Sequence, residues 1–577
     1  MAASSPGPDR IGTGLVRDRN FDAIVVGGGH NGLVAAAYLA KSGLRPLVLE
    51  ARDDTGGAAR TETPWGPDFK VTALSYVMSL MPAHIIADLR LAKHGYRVVP
   101  MGPAYAAFPD GRSLTLTGEH AHDHAELAKF SARDAAAMPR YEAWLKGVAD
   151  VLTPLLLRTP PKVGSKRPAD LIDQLRLAWG LRGLDVRRSA DAIRLFTMSI
   201  ADLLDEWFES PEVKGQMAIN GVIGTWAGPA APGTAYVMMH HSIGDAGDGK
   251  LGSWGYPIGG MGAVSAAIRS SAESSGALVR TGAPVERILI SGDRVTGVAL
   301  RDGTEFRSST VVAATHPHIT FLRQIGPEFL PPDFVADIER WRSRSGVVKI
   351  NLALSELPDF TASPDMPLAH YSGTLELCHS MEYIERAFQD AREGRAAERP
   401  FCDTVVPSTL DPTLAPEGAH VMSMFTQWVP HTWSSEPHEA ELAAYTDRIV
   451  DLYTELAPNF KRSIMHRQII GPYQMEHEYG LVGGNIFHGE LSPDQLFHLR
   501  PAPGYADFRT PIRGLYQCSS ATHGGGGVTG IAGYLATRRI LADLRRDRLT
   551  DRVTSRFNGR FTGRPADRST VRPADRR

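Results

Sequence analysis

The sequence predicts an α/β protein in which a doubly wound, parallel-sheet domain is interleaved with a discontinuous α+β domain. Three observations predict it. A strand–glycine turn–helix–strand unit begins at residue 21, a glycine-opened helix and short alternating strands follow from residue 255, and a second glycine-rich turn opens a helix near residue 530. The long stretches between these landmarks carry no such turn.

FDAIVV, residues 21–26, is an apolar run rich in β-branched side chains, as a strand buried on both faces requires. GGGHNG, residues 27–32, follows at once and reads G-x-G-x-x-G. NGLVAAAYLAKSG, residues 31–43, is a helix of small residues ending at Gly43, and LRPLVLE, residues 44–50, is the next strand. In this context the motif marks a Rossmann-type dinucleotide site. Gly27 makes the tight turn, Gly29 lets a pyrophosphate approach the backbone, and Gly32 lets helix and strand pack closely. The phosphates then meet the free N–H groups at the helix N-terminus. Glu50 ends the second strand, 18 residues after Gly32, where a carboxylate binds a ribose 2′-hydroxyl and repels a 2′-phosphate. Gly56, Gly57 and Arg60, in ARDDTGGAARTE, form another loop able to reach phosphate.

In the middle, GYPIGGMGAVSAAIRSSAESSG, residues 255–276, is a glycine-opened helix, and the strands after it are joined by SGD and RDG turns. STVVAAT ends in His316-Pro317, a strand stopping beside a ligand. Residues 120–250 and 325–465 are richer in helix patterns and read as a second domain inserted into the first. Near the end, Gly525, Gly527 and Gly530 repeat G-x-G-x-x-G. A second nucleotide fold would need another βαβ unit with an acid closing its second strand. Instead IAGYLATRRILADLRRDR continues as one helix, and Arg548 stands 18 residues past Gly530. The two fingerprints therefore read as gripping opposite ends of one dinucleotide.

The bulk composition narrows the function. Of 577 residues, 43% are hydrophobic and 22% charged, as in an ordinary water-soluble protein. The formal charge is −2, but residues 545–577 hold 11 Arg and 4 Asp, leaving about −9 on the rest. No nucleic-acid partner is expected of such a body. Cys378, Cys402 and Cys518 lie far apart with no C-x-x-C, which excludes a dithiol flavoenzyme and a zinc site and fits a reducing compartment. MAASSPGPDRIGTGLVRDRN has no apolar core of a signal peptide, and no run reaches 18 apolar residues. A cytoplasmic location, with membrane association as an extension, is the expectation.

These pieces together resemble the FAD-dependent oxidoreductases of the phytoene desaturase and amine oxidase superfamily. The carriers are DAIVVGGGHNGLVAAAYLAKSG, LVLEARDDTGGAARTE, YPIGGMGAVSAAI, VERILI, VVAATHP, NIFHGELSPDQLFHLRP and GLYQCSSATHGGGGVTGIAG, spread from about residue 20 to about residue 545. Within it, GHNGLVAAAYLAKSG, LSYVMSLMPAHIIADLRLAKHG and GSWGYPIGGMGA look most like the pyridine nucleotide-disulphide oxidoreductase domain-containing protein 2 branch. The resemblance implies a Rossmann-type FAD-binding domain over 21–95, 251–322 and 496–546, interleaved with an α+β substrate domain over 96–250 and 323–495. Residues 1–20 are then a flexible N-terminus and 547–577 a disordered basic tail. It further implies that Gly27, Gly29, Gly32, Glu50, Gly57 and Arg60 hold the ADP half of FAD and that the Val285 backbone meets adenine. Ser520, Gly527, Thr529 and Gly530 belong to the segment that contacts ribityl and isoalloxazine. Many relatives carry an acid near Ser520; here a serine oxygen stands in for it.

Two residues are candidates for chemistry. Lys349, in SGVVKINLALSELPDF, shares one strand face with Asn351 and Ala353. In amine oxidase relatives a lysine on the similarly placed strand holds a water at flavin N5; the alternative is a strand lysine whose stem packs while its ammonium reaches water. His523, which relatives place against the flavin, is either a general base or a structural hydrogen-bonder. His120, His122 and His124 read as a polar loop rather than a metal site. Residues 162–196 form an amphipathic stretch that rests on a membrane, admits an apolar substrate, or, ranked first, is an ordinary surface helix.

The implied activity is hydride transfer to or from C–C bonds of an apolar substrate, with oxygen, a quinone or a soluble carrier as electron acceptor. Amine oxidation is the alternative, weakened because Gly527 falls where those enzymes place one of two aromatic rings. A flavin-bearing regulatory protein without turnover is the third class.

Overall fold

A computed structural model of the protein describes residues 20–182 and 185–561. The flexible segment expected over 1–20 lies, but for Asn20, outside the described residues.

Five parallel strands form one sheet: β1 (Ala23–Val26), β2 (Pro46–Leu49), β3 (Leu278–Arg280), β4 (Val311–Ala313) and β5 (Leu515–Gln517). Their spatial order is β5-β4-β1-β2-β3, so β1 is central, flanked by β2 and by the distant β4, and the C-terminal β5 closes one edge. Every residue of β1 and β2 is buried, which explains why these strands are uninterrupted apolar runs rather than alternating ones. One face is covered by helices α1 (His30–Lys41), α2 (Met261–Ser274) and α3 (Ile531–Phe561), with Val25, Leu33, Val264 and Leu535 in one core. The other face packs Ile24, Val26 and Leu47 against Ile288, Val298 and Phe306 of a three-stranded antiparallel sheet spanning residues 285–307.

A second, seven-stranded sheet carries the other part of the molecule. Its order is Ile464–Ile470, Val347–Leu354, His420–Gln427, Phe401–Val405, Thr374–Leu377, Ala104–Ala107, Ser113–Leu116. The helical reading of 325–465 is thus corrected: this stretch supplies four of the strands outright and the start of a fifth. Val347–Leu354, the strand expected around Lys349, and Phe401–Val405 are both buried along their whole length; in the second, no period of two marked the strand for what it is. Cross-strand register places Ala106, Glu376, Asp403, Phe425 and Lys349 in one row on one face.

Two further expectations change. His120, His122 and His124 begin a helix, His120–Ala128, rather than a loop; at 100° per residue His122 is turned away from His120 and His124, and no metal-competent cluster exists among the described residues. The tail expected from 547 is helical as far as Phe561, because α3 simply continues; the remainder lies outside the described residues.

Candidate active site

The β1–α1 turn is built as its glycines require. Gly27 has φ +99°, a conformation open to glycine and strained for other residues. A Cβ on Gly32 would sit 2.1 Å from the Gly27 carbonyl oxygen, so helix and turn touch backbone to backbone. A Cβ on Gly29 would meet no atom within 4 Å; the space before it is cavity. Gly29 caps α1 without a side chain, and no acid occupies the first turn, so the helix N–H groups are left for an anion. Glu50 accepts from Gly28 N–H at 2.7 Å and from Arg52 N–H at 2.9 Å, which fixes its carboxylate at the end of β2.

The second glycine loop lies directly beside the first. Asn31 Nδ2 donates to Ser520 Oγ at 3.3 Å. A Cβ on Gly533 would come within 2.2 Å of the Asn31 carbonyl oxygen. The Thr529 hydroxyl accepts from Ile531 N–H at the start of α3. Arg500, 1% exposed, holds the loop from behind. All five of its N–H groups donate to carbonyls, those of Phe487, Glu490, Gln495, Ser520 and Thr522. No carboxylate pairs with it among the described residues, and burial pulls it down to about 10.

Both loops face one cavity of about 850 Å³. Gly27, Gly29, Gly32, Glu50 and Gly57 wall one end, Val285 also lines the cavity, and Ser520 and Gly527 line the part near α3. The Val285 carbonyl accepts from Gln324 Nε2 at 3.0 Å. Arg60, Thr529 and Gly530 stand behind this lining. The two catalytic candidates do not line it either. His523 is turned away: its Nε2 is 3.1 Å from the Leu155 carbonyl, its ring packs on Phe497, and burial pulls it down to about 4. This placement corrects the general-base reading, since a ring committed to Leu155 on the far side of the loop offers nothing to the cavity. Lys349 lies just under the cavity floor, 1% exposed, donating to Asn351 Oδ1 at 2.7 Å and to Ser423 Oγ. Burial pulls its ammonium down to about 7, opposed by Asp403. It does not reach water along a packed stem.

What lines the floor above Lys349 is a group that sequence inspection missed. Glu376 and Asp403 are direct cross-strand partners, and both face the cavity. Tyr76 donates to Asp403 Oδ2 at 2.6 Å, and its ring lies 5.4 Å from Lys349 Nζ. Burial, countered by Tyr76 and Lys349, pushes Asp403 up to about 6; burial and then Asp403 push Glu376 well above the carboxylate range. The only sequence signal was a lone acid in each of two apolar strands, TLEL and FCDTV; their meeting depends on register.

The residues present fit FAD. His30 Nε2 and Asn31 Oδ1, on the cavity lining, are buried without hydrogen-bond partners, a cost that a bound polar group would remove. They cluster at the glycine turns, where pyrophosphate would lie against α1.

A parallel-sheet domain with two glycine turns on one cavity, joined to a mixed sheet that floors it, defines a flavin-dependent oxidoreductase. Residues 230–533 match the family of flavin containing amine oxidoreductases, and residues 25–89 match the NAD(P)-binding Rossmann-like domain. The chain is 40% identical to pyridine nucleotide-disulfide oxidoreductase domain-containing protein 2 of Rattus norvegicus over 91% of its length and 94% of that protein. It is 23% identical to prolycopene isomerase 1 of an Oncidium hybrid cultivar, covering 91% and 84%. Cyclohexylamine oxidase of Brevibacterium oxydans shares the fold at TM-score 0.56 and 18% identity, covering 91% and 99%. The chain belongs to the flavin containing amine oxidoreductase family. Its cofactor is FAD.

Proposed function

We propose that the protein is an oxidoreductase acting on CH–CH bonds of an apolar, lipid- or isoprenoid-like substrate, by desaturation, saturation or isomerisation. The observation that carries this reading is a single cavity. It runs from Glu50 and the α1 N-terminus to walls of Leu114, Leu116, Met217, Ile223 and Phe425, room for an apolar chain beyond the nucleotide end. FAD, when bound, supplies the hydride chemistry. The chain supports it by orienting both partners, by excluding water with these apolar walls, and by aiming the start of α3 at developing negative charge. In this reading the glycines, Glu50 and Val285 bind the nucleotide, Ser520 and Gly527 face the flavin side, Lys349 sets the electrostatics under the floor, and His523 braces the loop.

Amine chemistry is disfavoured by one contact. Gly527 carries no ring, and a Cβ there would come within 2.5 Å of Leu80 Cδ1, so an aromatic side chain at this position would require Leu80 to move aside. The test is anaerobic bleaching of the bound flavin by a panel of isoprenoids, fatty lipids and amines. Bleaching by an isoprenoid or lipid, and not by amines, is expected; bleaching by amines alone would replace this reading with amine oxidation. Re-oxidation by oxygen, a quinone or a soluble carrier then identifies the electron acceptor.

The same reading includes a membrane surface as the place where such a substrate is met. No helix among the described residues is long and apolar enough to cross a membrane. The helices Pro168–Leu181 and Val186–Thr197, however, expose Leu175 (69%), Trp179 (68%), Val186 (89%) and Ile193 (64%) beside Lys166, Arg167, Arg187 and Arg188. Apolar side chains rimmed by basic ones suit an anionic bilayer surface. Replacing Leu175 and Trp179 by serine is expected to lower co-sedimentation with anionic phospholipid vesicles about tenfold or more, since each loses roughly 1.5–3 kcal/mol of apolar burial. Equal sedimentation of both proteins would remove the membrane from the proposal.

A further inference from the structure

Turning CH–CH into C=C releases a hydride and a proton, and the proton needs a base beside the apolar walls. His523 is turned away from the cavity, and Lys349 spends its ammonium on Asn351 and Ser423 beneath the floor. His241, on the helix Thr234–Ser242, is placed differently. It is buried yet lines the cavity, in the company of Met217, Ile223, Trp254 and Phe487. Its Nδ1 stands 2.9 Å from the Val237 carbonyl and 3.0 Å from the Asn220 carbonyl. Carbonyls only accept, so Nδ1 carries the hydrogen that the two share. In the neutral ring this leaves Nε2 as a bare lone pair. Nε2 makes no hydrogen bond among the described residues, and it is the ring edge left to the cavity. Burial, partly offset by the two carbonyls, pulls the imidazole down to about 4, so the ring is neutral near neutrality. Of the rings packed on it, His240, Trp254 and Phe487, only His240 titrates, and burial pulls that one down as well. The helix is pinned to the flavin-side turn: His240 Nε2 donates to the Gly526 carbonyl at 3.3 Å, and a Cβ on Gly526 would lie 2.6 Å from Phe487 Cδ1. His241 therefore stands one ring away from that turn.

We propose that His241 is the general base of the reaction, its Nε2 taking the proton that the substrate releases as CH–CH becomes C=C. The inference rests on the CH–CH reading and names the group that completes it. One C–H bond breaks, its electron pair becomes the second bond of the alkene, and its proton binds Nε2. The adjacent carbon gives up its hydride to the bound flavin, the oxidant. The imidazolium then passes the proton to water. The weak basicity imposed by burial suits this task. A carbon beside a centre that is losing hydride is strongly acidic, so the base needs an unprotonated lone pair and rapid release more than strength. Saturation runs the same transfer backwards.

The test uses the FAD-loaded full chain and begins without turnover. With nitrogen-labelled histidine, the NMR signal missing from His241→Asn identifies His241; a proton on Nδ1 and none on Nε2 is expected near neutral pH. A proton on Nε2 would overturn the assignment. Asparagine is the chosen replacement because its amide N–H can still donate toward Val237 and Asn220 while the lone pair is gone. Anaerobic flavin bleaching by squalene and by geranylgeraniol then reads the chemistry. His241→Asn is expected to slow bleaching at saturating substrate about a hundredfold or more. Half-saturation and flavin content should stay within about twofold, the pattern of a group that acts in the transition state. In His241→Ala, which opens a hole onto the cavity, added imidazole is expected to restore bleaching about tenfold or more, saturably, and more strongly as pH rises through the imidazole range. His241→Ala with imidazole is decisive if His241→Asn fails to fold. Bleaching at the parent rate in His241→Asn, or a loss in His241→Ala that imidazole leaves unchanged, would each overturn the assignment. Failure of the CH–CH reading shows earlier, in the unaltered protein, as no bleaching by either isoprenoid, and the assignment then falls with it.

Discussion

Gly32→Ala is expected to yield a protein that has lost both stability and flavin, whereas Gly29→Ala should lose flavin alone. At Gly32 the added methyl would lie 2.1 Å from the Gly27 carbonyl oxygen, a contact with backbone on both sides. Relief requires α1 to move off the turn by about an ångström, which costs roughly 3 kcal/mol or more. That displacement carries the α1 N–H groups away from the phosphates, so FAD affinity falls about a hundredfold. At Gly29 the methyl meets nothing in the protein. The apo-protein should then melt as the parent does, while the methyl occupies the space a pyrophosphate needs. Flavin absorbance per protein and the melting temperature of the apo forms separate the two cases. A Gly29→Ala protein that retains full flavin would show that the cavity before α1 is not the phosphate site.

Arg500→Met should be the most destabilising single change outside the glycine turns. The methionine replaces much of the volume but none of the five donated hydrogen bonds. Carbonyls left without a partner cost about 1–3 kcal/mol each, less where water or the second lone pair compensates. Even with the relief of no longer burying a charge, a net loss of roughly 3–5 kcal/mol is expected. Two of the five carbonyls, Ser520 and Thr522, belong to the loop beside the cavity. Flavin retention should therefore fall with stability, and the denaturation midpoints of holo and apo forms should converge. Arg500→Lys keeps the charge but has too few donors in the wrong geometry, so it should recover less than half of the loss. Wild-type flavin content in Arg500→Met would show that the loop holds its shape unaided.

The sequence made the first half of this site legible because its constraints are local. Gly27, Gly29 and Gly32 sit within six residues, and each acts on a neighbour in the same βαβ unit. Glu50 is fixed by the length of one helix and one strand. The second glycine turn was readable as belonging to the same cofactor because it opens directly into one long helix, IAGYLATRRILADLRRDR. The sheet floor resisted reading for the opposite reason. Glu376 and Asp403 are adjacent only through strand register, and Tyr76 reaches Asp403 from some 327 positions earlier in the chain. Arg500 resembled any arginine in a loop until its carbonyl partners, some before it in the chain and some after, were brought around it. His523 misled because a histidine beside a glycine turn has two sides to face, and chain direction alone does not choose between them.

The contact between Gly533 and Asn31 also sets an order of events during biosynthesis. β1 emerges from the ribosome early, yet one of its flanks must wait for β4 and the sheet edge for β5, hundreds of residues later. Until then an apolar strand edge stays unpaired, a liability for aggregation and a natural client surface for chaperones. Flavin loading by both glycine turns is consequently a closing step of maturation rather than a seed for it, and chains cut short before Leu515 have no means of completing the site.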